Sequence, residues 1–211
     1  MRKTSTSSHS RVALLLISAT AACTSTGINS NSSLGERPVL QGKIDSWSSG
    51  PGFSLEASVI SAPDGISGLA TAPIDEFGNF AITLPDAFTL ASYLVQQNID
   101  PKKPLPNCSG IEFQSNPQQF MTAVLRLQAI KGSTKFLVFQ GNPTTNVAYI
   151  YSDKEVNQVG SIKCIYGTLT ATEMINVHLT RGWNREIIIP NATGSTTTTG
   201  ELPDGVKWTA Q

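Results

Sequence analysis

Histidine is scarce in this chain, with two among 211 residues. His9 lies in a basic leading segment, and His178 stands alone in the remainder. A Ser-His-Asp arrangement needs a positioned base, and a zinc site needs three or four His, Cys or carboxylate ligands. One isolated histidine leaves little for either. No H-E-x-x-H, G-x-S-x-G or phosphate-cradling glycine loop occurs. Charge is low too. Asp, Glu, Lys and Arg make up 14% of the chain, against ~25% in an average soluble domain. The formal net charge is zero, which gives no support for nucleic-acid binding, since that wants a basic face. Long apolar runs are missing. The uncharged stretch VALLLISATAA, residues 12–22, is shorter than the ~20 residues a transmembrane helix needs. These absences predict no catalytic residue, no metal site, no cofactor and no nucleic-acid partner.

What is present is an address. Arg2, Lys3 and Arg11 precede the apolar stretch, and small residues close it. That is the layout of an export signal. Thr20-Ala21-Ala22-Cys23 resembles the lipobox of bacterial lipoproteins, with Thr20 where that family usually has Leu. The resemblance implies removal of residues 1–22, lipidation of Cys23, and a protein held in the cell envelope by its lipid. Thr24 in place of Asp after the cysteine points by the same resemblance to the outer membrane or cell surface. A second cut also fits, because Ala19-Thr20-Ala21 has the small-x-small pattern of ordinary signal peptidase. That route releases a soluble secreted protein.

Loss of the signal removes three of the 15 basic residues, leaving 12 against 15 acidic ones. Residues 23–37 are rich in Ser, Thr, Asn and Gly. They read as a flexible tether, because so few apolar residues cannot form a core. Cys108 and Cys164 remain once Cys23 is set aside. In an exported protein such a pair is most simply a disulfide, and two buried thiols are the alternative.

Alternation with period two runs through most of the remainder. Leu55, Ala57 and Val59 alternate with Ser54, Glu56 and Ser58, and Phe80, Ile82 and Leu84 share a face. Leu125, Leu127 and Ala129 follow the same rule, as do Ile175, Val177 and Leu179. Each pattern predicts a half-buried antiparallel strand. About eleven short strands with turn residues between them predict an all-β, antiparallel β-sandwich. It is either one extended sandwich or two small packed ones. Asp86 to Asn98 (DAFTLASYLVQQN) predicts at most one short helix, over residues 87–98, capped by Asp86. The Pro-rich segment 100–110 (DPKKPLPNCSG) separates an N-terminal block, 38–100, from a C-terminal block, 108–211.

The N-terminal block carries a further likeness. Ala70-Thr71-Ala72 leads into Asp75-Glu76-Phe77-Gly78-Asn79-Phe80. This D-x-x-G-x-F hairpin after a small-residue strand resembles the transthyretin-like, or carboxypeptidase-regulatory-like, β modules of secreted bacterial proteins. The resemblance covers about a quarter of the chain. It implies a β-sandwich and no activity, since such modules act mostly as spacers or adhesive units. The Gly182-Trp183-Asn184 turn is also similar to small exported lipoproteins of unassigned role.

Few groups remain for a site. Asp75, Glu76 and Asn79 could offer oxygens to calcium, but they lack the EF-hand spacing, and a hairpin turn needs the same residues. His178 falls on the polar face of its strand. Asp153 and Glu155 sit just past a strand end, where solvated carboxylates are the default. Tyr149 and Tyr151 share one strand face. They are either a stacking platform for a ligand, with Trp183 nearby, or core residues. The expected function is non-enzymatic: a lipid-anchored structural or surface-contact protein facing an envelope protein or polysaccharide. The alternative is a carbohydrate or small-ligand binding module using Tyr149, Tyr151 and Trp183. A carboxylate-dependent hydrolase has the least support.

Overall fold

In a computed structural model the described residues are 32–60, 66–99, 108–109, 112–166 and 169–211. The expected signal, Cys23 and most of the segment 100–110 lie outside them. The fold is all-β. The first strands are β1 (Ser33–Gly35), β2 (Val39–Lys43), β3 (Phe53–Ile60), β4 (Ile66–Ile74) and β5 (Asn79–Thr83). A single helical turn, α1 (Ala87–Leu90), precedes β6 (Val95–Asn98), β7 (Cys108–Ser109) and β8 (Gln114–Asn116). Longer strands follow: β9 (Gln119–Lys131), β10 (Thr134–Asn142), β11 (Thr145–Ser152), β12 (Val156–Tyr166) and β13 (Leu169–Leu179). The chain ends with β14 (Gly182–Asn191), β15 (Gly194–Thr199) and β16 (Lys207–Ala210).

The period-two pattern decides which side of each strand is buried. Leu55, Ala57 and Val59 are fully buried on β3, and Phe80 and Ile82 alternate with exposed neighbours on β5. Hairpin chemistry sets the register of β4 and β5. Asp75 accepts hydrogen bonds from the backbone N–H of Phe77 (2.9 Å) and Asn79 (2.8 Å), and Gly78 takes the positive φ (+87°) that the turn requires.

Hydrogen-bonded neighbours run in the order β2-β5-β4-β3-β9-β10-β11-β14-β15-β13-β12-β7. β3 pairs with β9 from Ser54↔Ile130 to Ile60↔Val124. Blocks 38–100 and 108–211 therefore share one sheet, and the Pro-rich segment does not divide it. β16 pairs with β10, and a bridge from Ile44 to Trp208 returns it to β2. The sheet thus curls into sandwich-like layers around one large core, which contains Leu55, Ile82, Leu84, Leu127, Tyr151 and Trp183. Burying each large apolar side chain contributes about 1.5–3 kcal/mol. Two smaller clusters lie under β12 and β13: Phe120, Val156, Val177 and Leu179 in one, Phe113, Ile162 and Cys164 in the other.

Two expected segments differ. The helix stops after one turn. Asp86 caps it by accepting from the Thr89 N–H (3.0 Å), but Val95–Asn98 is extended and pairs with Gln119–Thr122. The edge of β9 offers partners to the backbone groups of Val95–Asn98 that point toward it, and an isolated helix this short is marginal in water. The tether also ends early. Ser33–Gly35 pairs with β14, and Ser32 is buried. Gly182 permits this approach, because a side chain there would strike the Gly35 carbonyl, and its φ is +101°.

Candidate functional site

β9 is the longest strand, and its partners change along its length. Leu127–Lys131 pairs with β10, whereas Thr122–Val124 pairs with β11. Leu125 and Arg126 pair with β3 on one edge and fall between the two partners on the other. β10 and β11 meet each other only from Gln140 to Asn142. The strands therefore fork, and the fork leaves a gap that no backbone ladder fills.

A cavity of about 330 Å³ occupies this gap. Apolar side chains line most of it: Ile60, Leu125, Leu127, Leu137, Val138, Phe139 and Val147. Tyr149 and Trp208 add two aromatic rings stacked 5.8 Å apart and nearly parallel. Arg126 and Gln140 supply the polar groups. Ile60 and Leu137 are 54% and 44% exposed, so part of the apolar rim faces solvent. The volume falls at the lower end of small-molecule pockets, which share this mix of apolar wall and few polar groups.

The Tyr149 hydroxyl donates to the Gln140 side-chain oxygen. Burial pushes this phenol up to about 12, with Arg185 nearby opposing the shift. It is a fixed donor rather than a proton-transfer group. Among the described residues no serine, cysteine, histidine or carboxylate lines the cavity, and those that do line it suit binding.

The other candidate residues separate. Tyr151 and Trp183 are buried in the large core at 1% and 0% exposure, their rings edge to face at 5.7 Å. The Tyr151 hydroxyl donates to Glu36 (3.0 Å), and Glu36 pairs with Arg181 (2.8 Å). Burial, followed by the hydrogen bond and charge of Glu36, pushes this phenol up to about 12. Trp183 donates its indole N–H to the Pro85 carbonyl (2.8 Å), tying β14 to the start of α1. Of the three aromatic candidates, Tyr149 lines the fork cavity, and Tyr151 and Trp183 do not. Cys108 and Cys164 face each other across β7 and β12 and are bonded.

The acidic candidates have structural duties. Asp75 also accepts from the Asn79 amide (2.7 Å), and these hydrogen bonds hold its carboxyl below the usual value. Asp153 accepts from the Met121 N–H (2.8 Å). His178 contacts the Asn157 side-chain oxygen and lies 3.8 Å from Glu155. Among the described residues no group of three His, Cys, Asp or Glu side chains could hold a metal ion.

Two features are not apparent from strand periodicity. The fork depends on which strands β9 meets, a long-range matter. Glu186 lies in WNREIIIP, where alternation puts Trp183, Arg185 and Ile187 on one face and Asn184, Glu186 and Ile188 on the other. The signal was an acid sharing a strand face with Ile188. No family model matches this chain, and neither a curated protein nor a solved structure does.

Proposed function

We propose that this chain is a non-enzymatic, lipid-anchored envelope protein whose β9–β11 fork receives a small, mainly apolar molecule with an anionic or hydrogen-bonding end. The observation that carries this reading is the fork cavity: apolar walls, an aromatic pair held in place, and exposed Arg126 at the edge. A saccharide needs many hydrogen-bonding groups, and this wall has few. An alkyl or aryl group suits it better. The address rests on Arg2, Lys3, Arg11, the apolar stretch 12–22 and Cys23. Among the described residues no helix is long and apolar enough to cross a membrane.

The test is titration of the full chain with hexanoate, n-hexanol and glucose, followed by NMR at the Trp208 indole. Hexanoate and hexanol are expected to saturate a shift at Trp208, and glucose to leave it unmoved. Leu125→Phe fills the fork and weakens alkyl binding by about tenfold or more, the scale of ~1.4 kcal/mol. Failure of both alkyl probes to bind leaves the purely structural spacer as the better reading. Saturable glucose binding at Trp208 transfers the site to sugars. Intact mass of the membrane-extracted protein reads the lipid on Cys23 separately.

A further inference from the structure

The layer formed by β9, β11 and β14 has a second face. Tyr149 pairs with Arg185 and looks into the fork; the next pair, Ala148 with Glu186, looks the other way. A second, partly open cavity of about 220 Å³ lies on that side. Phe120 and Thr122 of β9, Ile150 of β11 and Leu179 of β13 form its wall, with Gln97 and Gln158 on its flanks. Among the described residues Glu186 is the only titratable group that lines it.

Glu186 has no hydrogen-bond donor or cation against it among the described residues. Glu186 is half-buried, and part of its surface opens to the cavity. Burial alone pushes it from 4.5 up to about 7. A half-buried carboxylate without a partner loses part of its hydration, and a cation seated in the cavity would offset that loss. The surrounding polar groups can complete a cation site. The Gln97 side-chain N–H donates to Thr122 (3.0 Å), which leaves the amide oxygen as an acceptor. Gln158 offers a second amide. An anion would meet acceptors here, and a bare inorganic cation would find too few oxygens. A neutral hydrocarbon would leave the carboxyl unpaired.

We propose that this cavity binds a small organic amine, its ammonium held by Glu186 and the glutamine amide oxygens, its hydrocarbon part against Phe120, Ile150 and Leu179. The site is separate from the fork and takes ligands of opposite charge. At mildly acidic pH the empty carboxyl holds a proton, and ammonium binding displaces it to solvent, so the balance is one cation in and one proton out.

The experiment is calorimetric titration of the full chain with n-butylamine hydrochloride, n-butanol and butyrate. Butylammonium is expected to bind at least about tenfold tighter than butanol, and Glu186→Gln to remove that preference. At about pH 6, wild type in two buffers of different ionisation heat should show release of about one proton per amine bound, and none with butanol. Leu125→Phe, which fills only the fork, should leave amine binding unchanged. Equal affinity for butanol, no amine binding, amine binding undiminished in Glu186→Gln, or no proton release would each overturn the proposal. The proton count uses wild type, so it decides the matter even if Glu186→Gln fails to fold.

Discussion

The large core and the region beneath β12 and β13 solve the same problem with different means. Around β2–β5, β9–β11 and β16, aromatic and aliphatic side chains from both sequence blocks meet in one continuous cluster, including Trp183, Tyr151, Leu55 and Leu90. Beneath β12 and β13 the described residues form two small groups, one of them including Cys164 itself. Thin burial leaves less to offset chain entropy. The bond between Cys108 and Cys164, separated by 56 residues, sits where burial is thin. The comparison teaches that packing holds one half while a covalent tie supports the other, and that the weaker half is also where an unpaired carboxyl is tolerated.

Perturbing each half separately tests that contrast. Disulfide removal should have the greatest reach relative to its surroundings. On the chain-entropy account, closing this loop stabilises by ~4 kcal/mol. Cys108→Ser with Cys164→Ser should therefore raise amide exchange in β12 and β13 strongly while β3 and β5 remain protected; uniform loss of protection would erase the distinction. Trp183→Ala acts on the other half. It removes a fully buried indole and its bond to Pro85, and large-to-small changes of this kind cost about 3–5 kcal/mol. Urea unfolding should show that loss across both halves, because β14 spans them.

The smallest effect comes from pH. The carboxyl of Glu186 titrates at about 7 in the fold against an ordinary 4.5. Its folded form favours the proton, so its contribution is complete below pH 4.5, declines as pH rises toward 7, and is lost above it. The full span amounts to roughly 3 kcal/mol at most. Melting temperature measured across this range should fall for wild type and flatten in Glu186→Gln. The same slope in both proteins would show that Glu186 is solvated rather than sunk.

Much of the strand pattern was readable in advance. Leu55, Ala57 and Val59, or Val177 and Leu179, are buried because alternation allows only one side of a pleat to face the core. The Asp75–Gly78 turn followed from its residue types. The helix expected over 87–98 did not hold beyond one turn: Leu90 is buried and Leu94 packs on the large core, and Val95–Asn98 then pairs with β9 as a strand. Tyr149 and Tyr151 were placed on one face, yet one borders a cavity and the other is packed under Trp183.

Local chemistry alone determined the leading apolar stretch ending at Cys23, the strand periodicity, the turns and the all-β class, because each depends on neighbours a few residues apart. The tertiary structure decided the fork in β9, the burial of Glu186 and the union of two blocks in one sheet. Those depend on which distant strands share hydrogen bonds, and alternation specifies a side chain's face without specifying what will cover it.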